Sequence, residues 1–109
     1  MNAMQFKECI EACNRCIALC RYCSVACLHE DDVKMMAKCI HLDMQCAEIC
    51  TLAVNFMSLD SPFVMDICKL CAKICRACAK ECGKYNMDHC QHCAKACTEC
   101  ADKCDAMAA

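Results

Sequence analysis

The apolar pattern of this chain repeats every seven residues, and one residue type fills it. Cysteine recurs at Cys9, Cys13, Cys16, Cys20, Cys23 and Cys27, in steps of 4, 3, 4, 3 and 4. Those are the a and d positions of a heptad, so a helix from Ala3 to Leu28 carries one unbroken stripe of sulfur. Ile10, Ile17 and Leu28 flank the stripe on one side, and Ala12, Leu19, Tyr22 and Ala26 on the other. Glu8, Glu11, Arg15 and Arg21 supply polar surface.

The register persists through three further helices. His29-Glu30-Asp31-Asp32 interrupts it, with Asp31 a suitable N-cap for a second helix from Asp32 to Ser58. There the slots read Met36, Cys39, Asp43, Cys46, Cys50, Ala53 and Met57. Its flank of Met35, Leu42, Ile49, Leu52 and Phe56 is the most apolar in the chain and suits a neighbouring subunit. Ser61 and Pro62 read as cap and first position of a third helix ending at Cys82, with Gly83 as its C-terminal cap. That helix carries Cys68, Cys71, Cys75, Cys78 and Cys82, with Phe63, Ile67, Leu70, Ile74 and Ala77 as a second stripe. Asn86 caps a fourth helix with Cys90, Cys93, Cys97, Cys100 and Cys104. Its tail, Met107-Ala108-Ala109, is expected to fray. Three short connections make sequential helices antiparallel neighbours. The expected fold is therefore all-α, an up-down-up-down antiparallel four-helix bundle with a cysteine-lined core, forming one domain over residues 1–109.

Composition changes the reading of that core. Of 109 residues 60% are hydrophobic, but 19 are cysteine and much of the remainder is alanine, leaving few large residues for an ordinary interior. One Gly and one Pro argue against a sheet-and-turn protein and against disorder. Lys and Arg number 12 against 14 Asp and Glu, with no basic patch, so nucleic acid is not an expected partner. Apolar runs are too short for a membrane span. Residues Met1 to Glu8 lack the apolar core of a signal peptide, which predicts a cytoplasmic protein with reduced thiols. No catalytic triad, carboxylate pair or phosphate-binding loop supports an enzyme.

Nineteen thiols on one seam need a chemical reason, because Leu or Ile would bury more apolar area at each site. Disulfides fit helical i,i+4 geometry poorly, and an odd count does not close a framework. The run from Cys90 to Cys100 has ferredoxin-like steps, but their order differs and no Pro follows. Metal storage fits. Filled as tetrahedral sites, the thiolates would hold about five Zn(II) and leave about nine uncompensated charges in the interior. Cu(I) is monovalent, favours thiolate and accepts two or three sulfurs, so about one ion per cysteine leaves the core neutral. Eight Cys-x3-Cys pairs place thiols one turn apart: Cys9/Cys13, Cys16/Cys20, Cys23/Cys27, Cys46/Cys50, Cys71/Cys75, Cys78/Cys82, Cys93/Cys97 and Cys100/Cys104.

Three stretches carry a resemblance: Cys39-Ile40…Asp43…Cys46-Ala47…Cys50, Asp60-Ser61-Pro62-Phe63, and Asp88-His89-Cys90-Gln91…Cys93-Ala94-Lys95-Ala96-Cys97. With the Cys-x3-Cys register, the chain resembles the bacterial copper storage proteins over nearly its whole length, in their cytosolic branch without an export signal. The resemblance implies a preformed tube holding many Cu(I) ions and assembly as a homotetramer. A copper chaperone or an efflux system is the candidate to deliver or receive the ions. A zinc or mixed-metal buffer of the metallothionein kind and a thiol redox reservoir stand as alternatives.

The two bundle ends differ. At one, Phe6, Met57, Val64 and Met107 continue the seam, and with Phe56 and Phe63 nearby the pattern predicts an apolar plug. At the other stand Glu30, Met36, Tyr85 and Asn86, with His89 and His92 beside Cys90. Copper entry is expected there, with His89, His92, Met36 and Met87 as first ligands before Cys27, Cys39, Cys82 and Cys90. Solvated helix-start residues are the other reading of the two histidines. His41 is off the seam, and Asp43 is a carboxylate on it with no assigned role.

Overall fold

The computed structural model describes the backbone over residues 3–108 and side chains over residues 5–108. Four helices follow in order: α1 (Lys7–Cys27), α2 (Ala37–Ser58), α3 (Val64–Cys82) and α4 (Asp88–Ala108). Two 3-10 turns precede α1 and α2, at Ala3–Phe6 and Val33–Met36. Each helix packs on two others: α1 on α2 and α4, α3 on α2 and α4. The sulfur pairs Cys9–Cys104, Cys20–Cys93 and Cys27–Cys90 run α1 against α4 in opposite directions. Cys39–Cys82, Cys46–Cys75 and Cys50–Cys71 do the same for α2 and α3. The result is the expected antiparallel four-helix bundle, 47 Å long and under 20 Å across, at 47 × 19 × 18 Å. Of the predicted tail, Met107 and Ala108 lie in the last turn of α4, and Ala109 lies outside the described residues.

The heptad decides what faces inward. All seven α2 slots are fully buried, Asp43 included, although it is charged in the unfolded chain. The second stripe of α3 lies at the edge of the core, with Ile67 and Ile74 half-buried against it and Phe63 and Leu70 exposed. Surface ion pairs fix which helices meet. Arg15 reaches Glu99 and Lys103 reaches Glu8 between α1 and α4, each at 3.2 Å, and Arg76 binds Asp102 and Asp105 between α3 and α4. Exposed pairs of this kind are each worth at most about 1 kcal/mol, so they select pairing more than they hold the bundle.

The helix ends correct several expectations. The cap before α2 is Asp32, not Asp31: its Oδ1 accepts from Met35 N at 3.3 Å and closes the 3-10 turn. Ser61 does not cap α3: its Oγ accepts from Phe63 N at 3.1 Å within the turn, α3 begins at Val64 with Phe63 at its N-cap position, and Pro62 stays in the turn. Fourth-helix geometry begins at Asp88, two residues past Asn86. Gly83 ends α3 without the left-handed conformation of a glycine cap, at φ −63°. Its need for glycine is steric, since a Cβ would stand 2.9 Å from the Ala79 carbonyl oxygen. The left-handed cap lies after α2, on Asp60 at φ 50°. There Ser61 N donates to Phe56 O and Asp60 N to Met57 O, the paired bonds of a Schellman ending.

Candidate metal centre

All nineteen cysteines are free and buried. They form one column of sulfur along the bundle axis, because α1, α3 and α4 each turn an unbroken cysteine stripe inward and α2 adds three more. Within α1, Cys16–Cys20 and Cys23–Cys27 stand 3.8 Å apart, and Cys93–Cys97 of α4 stand 3.9 Å apart. Contacts between helices are as close or closer: Cys16–Cys46 and Cys16–Cys97 at 3.6 Å, Cys46–Cys75 at 3.4 Å, and Cys39–Cys82 at 3.0 Å. The one-helix pairs legible in sequence are thus parts of larger units that cross the core.

Those units are groups of four. Cys13, Cys71, Cys100 and Cys104 form one, and Cys16, Cys46, Cys50 and Cys75 another. Cys20, Cys78, Cys93 and Cys97 form a third, and Cys23, Cys27, Cys39 and Cys90 a fourth at the end beside His89. In each group the sulfurs lie within 4.8 Å of one another. With metal–thiolate bonds of about 2.3 Å, a shared ion holds two sulfurs about 4.6 Å apart if linear and about 4.0 Å apart if trigonal. The sulfurs therefore need move only fractions of an ångström to bind. Cys16, Cys20, Cys46 and Cys97 form a fifth group, which shares Cys16 and Cys46 with the second and Cys20 and Cys97 with the third, so a thiolate there can bridge ions. Burial opposes thiolate formation at Cys27 and Cys90, at the end beside His89. It pushes the Cys27 thiol up, and it pushes Cys90 up to about 11, with Cys39 adding to both. A bound cation would reverse that balance by supplying the missing positive charge.

Asp43 stands inside the column. Its Oδ1 accepts from Cys78 at 3.2 Å, Cys93 at 3.2 Å and Cys82 at 3.3 Å, and Cys39 approaches Oδ2 at 3.9 Å. Burial, then the neighbouring Cys93, Cys78 and Cys39, push its carboxyl up to about 10. The carboxyl thus sits among four thiols, in surroundings that favour its protonated form. Sequence marked it as an oddity, but only the packing of α3 and α4 on α2 reveals its partners.

The two ends behave differently. Phe6, Met57 and Val64 are buried and close the axis at one end, whereas Phe63 points to solvent and does not join the plug. At the other end His89 is mostly buried, with 12% of its side chain exposed. Its Nδ1 lies 3.4 Å from Cys23 Sγ, 3.5 Å from Cys90 and 3.9 Å from Cys27. Its Nε2 lies 3.2 Å from Glu30 Oε1. The contact of Nε2 with Glu30 orients the ring so that Nδ1 faces the three sulfurs. His92 does not reach this place. It is exposed and lines a surface groove with Arg15, Leu19 and Lys95 between α1 and α4. Met36 is fully buried one turn before Cys39, and Met87 is half-buried against the core. His41 is exposed, as expected.

A polar brace holds the turn that carries Met36. The Tyr85 hydroxyl lies 3.0 Å from Met35 O and 2.9 Å from Glu81 Oε2, linking that turn to the end of α3. Burial of Glu81 opposes its ionisation, but hydrogen bonds from Lys84 and Tyr85 outweigh it and hold the carboxyl below its ordinary value. This brace was not foreseen, because neither Glu81 nor Met35 lies on the seam. No helix of the described residues is long and apolar enough to cross a membrane.

Comparison with known proteins agrees with this architecture. The family model described as copper storage protein matches residues 2–109. The Cu(I)-bound copper storage protein BsCsp3, of Bacillus subtilis, is 53% identical, with 95% of this chain and 98% of that one covered and a TM-score of 0.92. A cytosolic copper storage protein of Streptomyces lividans, loaded with five coppers, is 34% identical over 97% of this chain and 93% of its own, with a TM-score of 0.93. An uncharacterized cysteine-rich protein of Bacillus subtilis, YhjQ, is 54% identical over 83 residues, 75% of this chain and 77% of that protein. With a family match spanning the sulfur column from end to end, the chain belongs to the copper storage protein family.

Proposed function

We propose that this chain stores Cu(I) on its core thiolates, taking up many ions and approaching one per cysteine. One observation carries the reading: nineteen buried thiols line the bundle axis, and sixteen of them fall in four-sulfur groups whose sulfurs lie within 4.8 Å of one another. At one monovalent ion per thiolate the column is neutral, and two-coordinate ions in that ratio require every thiolate to bridge two of them. The shared membership of Cys16 and Cys20 in two groups supports such bridging. The ligands in this reading are all nineteen cysteines, from Cys9 to Cys104, acting within a single domain over residues 1–109. Storage without catalysis in the cytosol, with copper exchanged through a chaperone or efflux system, completes it.

Entry is assigned to the end marked by His89. Its Nδ1 takes an arriving ion beside Cys23, Cys27 and Cys90, and Glu30 holds the ring in place. Met36 stands behind it as a buried soft donor. His92 is dropped from the entry set, since its side chain lies in the outer groove.

An anaerobic titration tests the reading. Cu(I) is added against a chromophoric competitor, and saturation is expected near the cysteine count. Saturation near five equivalents with preference for Zn(II) would establish a zinc buffer instead, and stoichiometric disulfide formation under mild oxidation without Cu(I) uptake a redox reservoir. Followed in time, the same titration is expected to run slower in His89→Ala with an end point reduced by no more than one ion. Equal rates would remove His89 from the entry path.

A further inference from the structure

The plugged end of the bundle is closed along its axis but not at its side. Cys9 is 2% exposed, while every other cysteine is at 0%. It lines a surface cavity of about 310 Å³ between the first turn of α1 and the last turn of α4. Gln5, Lys7, Glu8, Lys103, Ala106 and Met107 form the remaining walls. We propose that this cavity is a second port, at which a small anionic thiol of about tripeptide size exchanges Cu(I) with Cys9, at the end of the column opposite His89.

Three features of the cavity support that ligand. First, Cys9 is the outer member of a connected path inward. Its Sγ lies 3.6 Å from Cys104, Cys104 lies 3.9 Å from Cys13, and Cys13 lies 3.5 Å from Cys100. An ion leaving Cys9 can be replaced from the column by steps of one sulfur contact. Second, the charge is cationic on balance. Lys103 is engaged by Glu8 at 3.2 Å, which leaves Lys7 to meet an anion. Third, the half-buried Met107 places a thioether on the wall, a soft group compatible with Cu(I) in transit. The volume sits at the lower limit of small-ligand pockets, too small for a protein domain.

The exchange needs no oxidant. An ion held between the Cys9 and Cys104 thiolates passes first to one incoming thiol in the cavity, which displaces Cys9, and then leaves with a second thiol from solvent, which displaces Cys104, as a bis-thiolate anion. The two protons of those thiols pass to the Cys9 and Cys104 sulfurs, and copper stays Cu(I) throughout. The inference rests on copper storage by the core thiolates, and its test separates the two ideas.

The test fills the cavity without touching a thiol. Ala106 is exposed, so Ala106→Trp occupies the space with little demand on the core. Copper-loaded Ala106→Trp and the unaltered protein are each mixed with millimolar glutathione, and Cu(I) release is followed with a chromophoric chelator. Release is expected to slow several-fold in the variant, with total capacity unchanged. Equal release rates at full capacity would overturn the port. Low capacity in the unaltered protein would overturn storage instead. A second measurement avoids the variant: brief iodoacetamide treatment of the metal-free protein, read by peptide mass spectrometry, is expected to modify Cys9 first. Modification starting at Cys27 or Cys90 would place the accessible sulfur at the other end and refute the proposal.

Discussion

Asp43 gives the core a pH response that the thiols alone would not. Burial, followed by the nearby Cys93 and Cys78, raises its carboxyl from 3.8 to about 10. Between those values the folded chain holds a proton that the unfolded chain has lost, so this group makes stability fall as pH rises. The contribution is complete below the unfolded value and disappears as pH passes through the folded one, with a slope of at most about 1.4 kcal/mol per pH unit. Asp43→Asn cannot titrate. Urea unfolding of the metal-free protein between about pH 5 and about pH 8 is expected to show a shallower decline in the variant than in the unaltered chain. Identical slopes would mean that the carboxyl is ionised inside the fold. His89 illustrates the same scale differently. Sequence could place it beside Cys90, but not show that Glu30 meets Nε2 and orients the ring so that Nδ1 faces sulfur.

At the scale of the element, capping shows where local sequence signals mislead. The single glycine was the natural candidate for a left-handed cap, yet it stays in helical conformation and an aspartate takes that role. The reason lies in the connections. The α2–α3 turn must reverse the chain within five residues, and the two Schellman bonds at Asp60 and Ser61 accomplish it. After Cys82 the helical turn continues through Gly83, whose amide donates to Ala79 O at 2.9 Å, and an added Cβ would strike that same oxygen. Gly83→Ala is therefore expected to lower stability by about 1 kcal/mol, and Asp60→Gly to raise it by up to about 1 kcal/mol by relieving the left-handed backbone. Thermal unfolding of the two metal-free variants checks both signs.

At the scale of the molecule, the bundle leaves one long face unpaired. Leu52 and Leu70 are exposed on α2 and α3, and Ile49, Leu52 and Ile74 line a surface cavity of about 380 Å³ between the two helices. The apolar flank read on α2 points the same way, and we propose this face as the contact between copies of the chain. Leu52→Glu is expected to yield a smaller species by light scattering at unchanged helix content. An assembly that survives the substitution would move the contact elsewhere. Copper itself should stabilise the whole, because each four-sulfur group joins three helices and forms only when the chain is folded.

The sequence by itself determined the helices, their antiparallel order, the inward face of each and the presence of nineteen thiols on that face. Heptad spacing is a local property, and the short loops leave little choice of topology. Only the tertiary structure decided which sulfurs share a group, that Asp43 sits among four thiols, that His89 enters the column while His92 stays outside, and that Cys9 meets a cavity at the plugged end. Those outcomes depend on the rotation and axial offset of one helix against another. A heptad says which face is buried but not which residue lies opposite, and metal or proton chemistry is set by residues that lie opposite.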